Sequence, residues 1–551
     1  MPMKNTTCSM ANRRNKPRLL ALLLAVLTLA GCGGQAATTA TPANTATPAA
    51  TASSAPVAGG SLYLPMPEGG ALGNPLLPAT REIASLYGLL YESLITMNEG
   101  GAPSANLAEK WAVSEDGLDW TFTLRKEIAW QGVDRYLDAE DVTFTLDQIK
   151  DLGGDGAYAY VLDYLQSWKA NDDGTVTLHL KTPFYGVLHA LQFPILPKGV
   201  GYSGKSAPDL PVGTGPYVVA SYKKGKSIDL AVNEAWWKKA PYIETINVLP
   251  FTDNATQVSS LMLRQLDAVQ TDDLTVSQYR ESGDANVYEY PTHYFEFLAV
   301  NFTNTDLKDK RMRQALAWAM DRTQVVAYKY FNHAIVSDTP VPPDSWLYDG
   351  KLLHYNQDVN TARKLLAQIG WKDTEGDEGL YDRSPDGTKR ALKFTLLVNQ
   401  EETDTLRKGV AEELADQLKG SGITLEIKAL AWDDYVTALG QKQFDLALCG
   451  SYLSPVPDYS LLLRSDGALN YGGYSDSDMD TLLDSIVNAP DSSTMTARIA
   501  DLQTKIIADL PIFSLYFRTH SLLTTTKVHN VTGAREDSAF ALINQWYIQG
   551  N

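Results

Sequence analysis

The sequence predicts an α/β protein with a β-rich region set early in the chain, and three observations carry that prediction. Between residues 391 and 448 an apolar strand, an amphipathic helix and an alternating strand follow one another, the order of a βαβ unit. Residues 118–124 and 176–180 instead alternate apolar and polar side chains after Asp116-Gly117 and Asp173-Gly174, the signature of half-buried hairpin strands. Between these regions Met312, Ala315, Leu316, Ala319 and Met320 recur at helical spacing.

At the start of the chain, Lys4, Arg13, Arg14, Lys16 and Arg18 precede an uncharged run, Leu19–Ala30. A membrane-crossing helix needs about 20 apolar residues, so this run is too short to span. A basic region, a short apolar run and small residues describe a secretory signal peptide. Leu29-Ala30-Gly31-Cys32 resembles the bacterial lipobox, which implies cleavage after Gly31 and lipidation of Cys32. Residues 1–31 are therefore expected to be the lipoprotein signal. Residues 32–59, rich in Ala, Thr and Pro without charge or aromatic ring, are expected to be a disordered tether.

Losing those five basic residues takes the formal charge from −18 to −23. An acidic body argues against nucleic acid and against an electrostatic membrane patch, so lipid contact falls to the acyl chains alone. Cys8 leaves with the signal, Cys32 carries lipid and Cys449 stands alone. With no internal disulfide, a large core must hold the fold.

The folded elements follow in order. Thr80–Leu94 puts Ile83, Leu86, Tyr87, Leu90, Tyr91 and Leu94 on one helical stripe. Leu118, Trp120, Phe122 and Leu124, then Val176, Leu178 and Leu180, form the alternating strands. Gly213–Tyr217, "GTGPY", lacks the third glycine of a dinucleotide loop and reads as a tight turn. Asn360 is expected to cap a helix bearing Ala362, Leu365, Leu366 and Ile369, which Gly370 ends. A strand over Ala391–Val398, a helix holding Leu406, Val410, Leu414 and Leu418, and a strand with Ile423, Leu425, Ile427 and Ala429 make the βαβ unit. Trp432–Leu439 and Phe444–Leu448 add a helix and a strand. "DTEGDEGLYD", Asp373–Asp382, reads as a solvated acidic turn, its glycines falling outside the EF-hand position.

Signs of catalysis are missing from the sequence. It has no GxSxG elbow, HExxH, Walker loop or CxxC, and the seven histidines never pair at metal-ligand spacing. No enzyme activity, cofactor or metal is expected. Cys449, at the end of an apolar strand, reads as packing.

Seven segments, in order, resemble the extracellular solute-binding proteins of family 5, the peptide- and nickel-binding receptors of ABC importers. They are "LYESL" (Leu90–Leu94), "LAEKWAVSEDGLDWTFTLRK" (Leu107–Lys126), "DAEDVTFTL" (Asp138–Leu146), "VGTGPY" (Val212–Tyr217), "RMRQALAWAMDR" (Arg311–Arg322), "ARKLLAQIGW" (Ala362–Trp371) and "DLPIFSLYF" (Asp509–Phe517). The resemblance implies a two-lobed periplasmic-binding-protein type II fold with an extra β-rich domain inserted in the first lobe. It places domain I at 60–85, 200–300 and 518–551, the inserted domain at 86–199 and the second lobe at 301–517. The chain would cross between lobes near Asn301 and Phe517, and the lobes would close over ligand by hinge motion.

The implied function is a monomeric, lipid-anchored receptor on the extracytoplasmic face of a bacterial envelope. It would capture oligopeptides for an ABC permease and ATPase, with nickel chelate, haem or oligosaccharide as alternative cargo and a surface hydrolase as a distant third reading. Peptide-binding members read Gly-Trp-x-x-Asp after the "FDLALCG"-type strand, the Asp pairing with the peptide amine. Here Ser451 stands at the Trp position and Ser454 at the Asp position, with Tyr452 and Leu453 between and Asp458 four residues on. A neutral serine cannot pair with a buried ammonium, which costs several kcal/mol left unpaired. Asp458, Glu68, Asp272 or Glu296 would take over, or the ligand lacks a free amine there. The resemblance also implies a cleft-lining Trp432. Tyr294 and Tyr516 fall near the lobe crossings, Asn470-Tyr471 follow the departing segment, and Tyr63 ends the first strand, so these complete the expected ligand-binding set.

Overall fold

A computed structural model describes residues 56–549 apart from 79, 353, 374–379, 384–388 and 401–404. The signal peptide, Cys32, nearly all of the tether and most of the acidic turn lie outside the described residues.

The protein has the two-lobed α/β fold, built on three main sheets. The first has the order Ser61–Pro67, Thr245–Phe251, Ser227–Val232, Tyr217–Lys223, with only its first pair parallel. Leu62, Leu64, Ile246 and Val248 turn into the core, as the period of two in a strand requires. The second sheet is the expected β-rich insertion, an antiparallel set ordered Ala108–Val113, Asp119–Leu124, Val176–Leu180, Leu165–Ala170. Trp120, Phe122 and Leu178 bury there, and helix Ala139–Leu152 packs on it behind a capping box made by Asp138 and Asp141.

The third sheet is mixed. Its order is Ala268–Thr271, Ile512–Thr524, Asn286–Val300, Leu446–Tyr452, Lys393–Asn399, Thr424–Leu430. Lys393–Asn399 pairs parallel with both Thr424–Leu430 and Leu446–Tyr452, so the predicted βαβ unit is present, its crossover being helix Leu406–Lys419. Leu298, Met312, Leu316, Phe394, Leu396, Leu414 and Ile423 form this lobe's core. A separate apolar core runs from the first sheet through the inserted one. It also takes in Leu483, Ile486, Ile499 and Leu502 of helices Ser477–Val487 and Ser492–Asp509.

Two local expectations need correcting. The helix expected to reach Leu94 spans only Arg81–Leu90, capped by the Thr80 hydroxyl; Tyr91 turns extended, and Leu94 is buried by tertiary packing instead. The helix at 359–368 is capped by Asp358, whose carboxylate accepts the Thr361 N–H, rather than by Asn360, which lies inside it.

The "VGTGPY" segment shows why glycine recurs in it. Gly215 N–H donates to the Leu90 carbonyl at 2.9 Å, closing the end of helix Arg81–Leu90, and Gly213 lies against the same carbonyl. A Cβ at 213 would overlap the Leu90 oxygen, and one at 215 would meet the Leu89 oxygen at 2.7 Å. The glycines serve close backbone approach, and the backbone on both sides has nowhere to yield. Gly213→Ala is expected to cost about 3 kcal/mol, the upper end for overpacking, read as a lower urea midpoint; an unchanged midpoint would mean that the helix end relaxes freely.

Candidate ligand site at the paired long strands

Strands Asn286–Val300 and Ile512–Thr524 pair along most of their length and join two regions of the molecule. At one end Val269 faces Leu523, and Asp267 beside that strand bonds to Tyr63 of the first sheet. At the other end residues 294–300 pair with 446–452. Between them the register slips: Pro291 faces Thr519 and Phe295 faces Phe517, so residues 292–294 bulge opposite Arg518 alone. The Thr292 hydroxyl donates to the Arg518 carbonyl at 2.9 Å and accepts the Tyr294 N–H at 3.1 Å; the His293 carbonyl accepts the Leu453 N–H at 2.9 Å. The bulge is thereby pinned from both sides.

Its charged centre is Glu296, fully buried. Arg518 donates to Glu296 Oε1, and Arg407 Nη2 lies 3.4 Å from Oε2, an ion pair without hydrogen-bond geometry. Arg407 also donates to the Leu448 carbonyl at 2.5 Å. Burial is the largest influence and works against both guanidinium charges, but Glu296 together with the surrounding tyrosines holds both above the ordinary arginine range. The Arg518 guanidinium stacks over the Tyr294 ring at 4.5 Å, and Tyr330 lies at 5.8 Å. Tyr294 meets Tyr452 edge-on at 4.9 Å. The Tyr452 hydroxyl accepts from Arg81, which also pairs with Glu536 at 3.0 Å and bonds His520.

Glu536 sits between Arg535 and Asp537, and both of these line a cavity of about 610 Å³. Tyr87, Tyr91, Tyr158, Asn98 and Trp236 share its wall. Burial raises the pKa of Glu536, with Arg81 and His293 opposing, and burial likewise raises that of Asp344, which faces His293, Asp537 and Arg535. The arginine–tyrosine centre at the bulge is thus linked through Arg81 to Glu536, whose chain neighbours line the cavity.

The expected residues divide into three sets. Tyr294, Ser451, Tyr452 and Leu453 gather at the bulge, with Tyr452 56% exposed. Tyr516 is wholly buried beneath it, its hydroxyl donating to Tyr330 at 3.2 Å. The others lie elsewhere or turn inward. Tyr63 is part-exposed on the first sheet. Trp432, 54% exposed, stacks on Tyr435 at the start of helix Trp432–Gly440. The Ser454 hydroxyl accepts the Val456 N–H, and Asp458 accepts the Ser460 N–H while raising, after burial, the pKa of Tyr164. Asn470 spends its amide on the loop around it, donating to the Tyr474 carbonyl and accepting the Gly473 and Tyr474 N–H groups, and Tyr471 packs on the core. None of the expected residues lines the 610 Å³ cavity.

Glu296, weighed as a partner for an amine, is taken by two arginines. Arg81, Arg407, Arg518, Asp344, Arg535 and Asp537 went unforeseen. A signal for two of the site's charges was present: Glu296 in "YFEFLAV" and Arg518 in "LYFRTHS" are lone charges inside apolar strand runs, where a charge must find a partner.

Among the described residues no group of three or more His, Cys, Asp or Glu is placed to hold a metal ion, and no helix is long and apolar enough to cross a membrane. Two lobes joined by paired strands, with a charged and aromatic junction beside an open cavity, define a solute-binding receptor. The chain belongs to the bacterial extracellular solute-binding proteins, family 5: residues 102–472 match that family's middle region.

The chain is 26% identical over 536 residues to the oligopeptide-binding protein AppA of Bacillus subtilis (strain 168), covering 92% of this chain and 94% of that protein. The structure of that AppA in complex with a nonapeptide matches with a TM-score of 0.60 at 24% identity, over 90% of this chain and all of the other. HbpA2 from Haemophilus parasuis matches with a TM-score of 0.75 at 19% identity, over 89% of this chain and all of the other. The family and these relatives are substrate-binding receptors of ABC transporters, extracytoplasmic and not enzymes.

Proposed function

We propose that this receptor captures oligopeptides and, anchored by lipid on Cys32, delivers them to an ABC permease and ATPase by closing its lobes as a monomer. The observation that carries the reading is the junction at residues 292–294. Arg81 from the helix on the first sheet meets Tyr452 from the third, and side chains from both long strands line the same place. A ligand held there touches both lobes at once and so favours their closure. Tyrosine rings meeting edge-on, one of them exposed, suit chains of varied side chains, as a peptide receptor needs. We place the lobes at 60–85, 200–300 and 518–551 against 301–517, with 86–199 inserted, Tyr294, Tyr452 and Trp432 on the cleft, and the hinge at the bulge.

The test is thermal and chemical unfolding of the mature receptor with pooled peptides of two to nine residues. A ligand at about a hundred times its Kd stabilises the folded state by about 2.7 kcal/mol. Stabilisation by at least one pool, weakened in Tyr452→Ala, supports the reading. No stabilisation by any pool refutes the peptide assignment.

A further inference from the structure

Besides the paired long strands, the inserted region itself touches the second lobe, on the division placed above. Trp346, in a loop of the second lobe, reaches between two side chains of the inserted region. Its indole N–H donates to His189 Nε2 at 3.3 Å with the rings parallel to within 4°, and its ring meets Tyr185 edge-on at 6.3 Å. The loop is firmly mounted: Gln503, buried in helix Ser492–Asp509, donates to the Leu347 carbonyl at 3.0 Å and accepts the Asp349 N–H at 3.3 Å. The hairpin of strands Ile95–Met97 and Pro103–Ala105 faces this loop, its tip fixed by the Asn98 side-chain oxygen, which accepts the Gly100 and Ala102 N–H groups at 2.9 and 3.0 Å. Gly101 of that tip has φ 76°, and a Cβ there would stand 2.6 Å from the Asp344 carbonyl oxygen and 3.4 Å from the Trp346 nitrogen. The turn alone would admit asparagine at such a φ; the close approach admits no side chain. Both pieces border the 610 Å³ cavity, one through Asn98 and the other through Gln192, whose amide donates to the His189 carbonyl at 3.2 Å.

We propose that Trp346 and its socket of Tyr185, His189 and Gly101 are a clasp that holds the inserted region to the second lobe and sets how long a ligand stays. This rests on the lobe division and the peptide reading above, and it gives the inserted region a task in closure. A contact made only when the lobes meet favours the closed arrangement with or without ligand. The apparent affinity of a receptor falls with the fraction of it that is competent to bind, and the clasp raises that fraction. The Tyr185 N–H, donating to the Ala489 carbonyl at 2.7 Å, continues the same seam.

Wild type, Trp346→Ala and Gly101→Ala are compared as mature receptors by small-angle X-ray scattering, without ligand and with the peptide pools above, and by stopped-flow release of a pool that stabilises wild type. Ligand-free Trp346→Ala is expected to have a larger radius of gyration than wild type, which peptide brings back. It should release peptide about tenfold faster, with association changed by less than about threefold. Gly101→Ala, whose methyl wedges the seam while Trp346 stays in place, shifts both readouts the same way and carries the test if Trp346→Ala does not fold. A tryptophan that only packs would lower the urea midpoint and move neither readout. Release as slow as in wild type, or ligand-free radii unchanged, in both variants overturns the clasp while the peptide reading stands. A radius that stays large with peptide bound also overturns it, by making the contact a fixed part of the fold. If no pool binds wild type, the peptide reading falls and the ligand-free radii alone decide the clasp.

Discussion

Glu296→Ala is expected to destabilise the receptor by about 3–5 kcal/mol, the cost of removing one partner from a buried ion pair. The loss is large because the carboxylate answers two arginines, and its removal leaves both charges at the junction with Leu448 and the tyrosine rings as their surroundings. Urea unfolding followed by tryptophan fluorescence measures it. Adding Arg518→Gln to Glu296→Ala removes one of the stranded charges and should return part of the stability, a coupling that a double-mutant cycle reads directly. A loss below about 1 kcal/mol, in the range of exposed pairs, would show the arginines to be solvated and the centre to be a surface feature.

Acid is expected to weaken the fold through His189. Burial lowers its pKa to about 4, with the Gly186 carbonyl and Asp537 opposing and His293 adding to the fall. The unfolded chain takes up this proton near 6.5, whereas the folded protein resists until about 4. Between those values protonation favours the unfolded state. The stability is therefore complete above about pH 6.5 and drains away as pH falls toward 4, by about 3 kcal/mol in all. Neutrality of the ring also matters to its packing. Its Nε2 faces the Trp346 indole N–H at 3.3 Å, with the two rings parallel, and a protonated Nε2 could not accept that bond. His189→Gln should flatten the urea midpoint between pH 4.5 and 7. An equal slope in wild type and variant would transfer the effect to other groups.

What the sequence disclosed was governed by how local each feature's cause is. Helix Lys310–Ala319 and strands Asp119–Leu124 and Val176–Leu180 are written in periods of 3.6 and 2, and they form as read. The Leu94 error marks the boundary of that method, because an apolar residue continues a stripe whether a helix or a loop delivers it to the core. The glycines of "VGTGPY" could be read as special, but their reason, the carbonyl of Leu90 more than a hundred residues earlier, could not. The site was least legible for the same reason. Glu296, Arg407 and Arg518 come from three separate segments, and the two-residue slip at the bulge beside them is a property of register, to which period-2 patterning is blind. Tyr294 and Tyr452 were reached because they face each other across one strand pair; Arg81 lies in a helix whose stripe concerns the opposite face.

The paired long strands also set the mechanics of the molecule. Two hydrogen-bonded strands side by side make a ribbon, which flexes readily across its flat face and resists bending within its plane or sliding along its length. The pairing is interrupted twice, at residues 292–294 opposite Arg518 and again between Glu296 and Phe297, and such flexing would concentrate there. On the proposed lobe closure, Arg518 lies at the pivot. On that reading a contact at Arg518 has almost no lever arm, and the leverage for closure falls to contacts such as Arg81 with Tyr452.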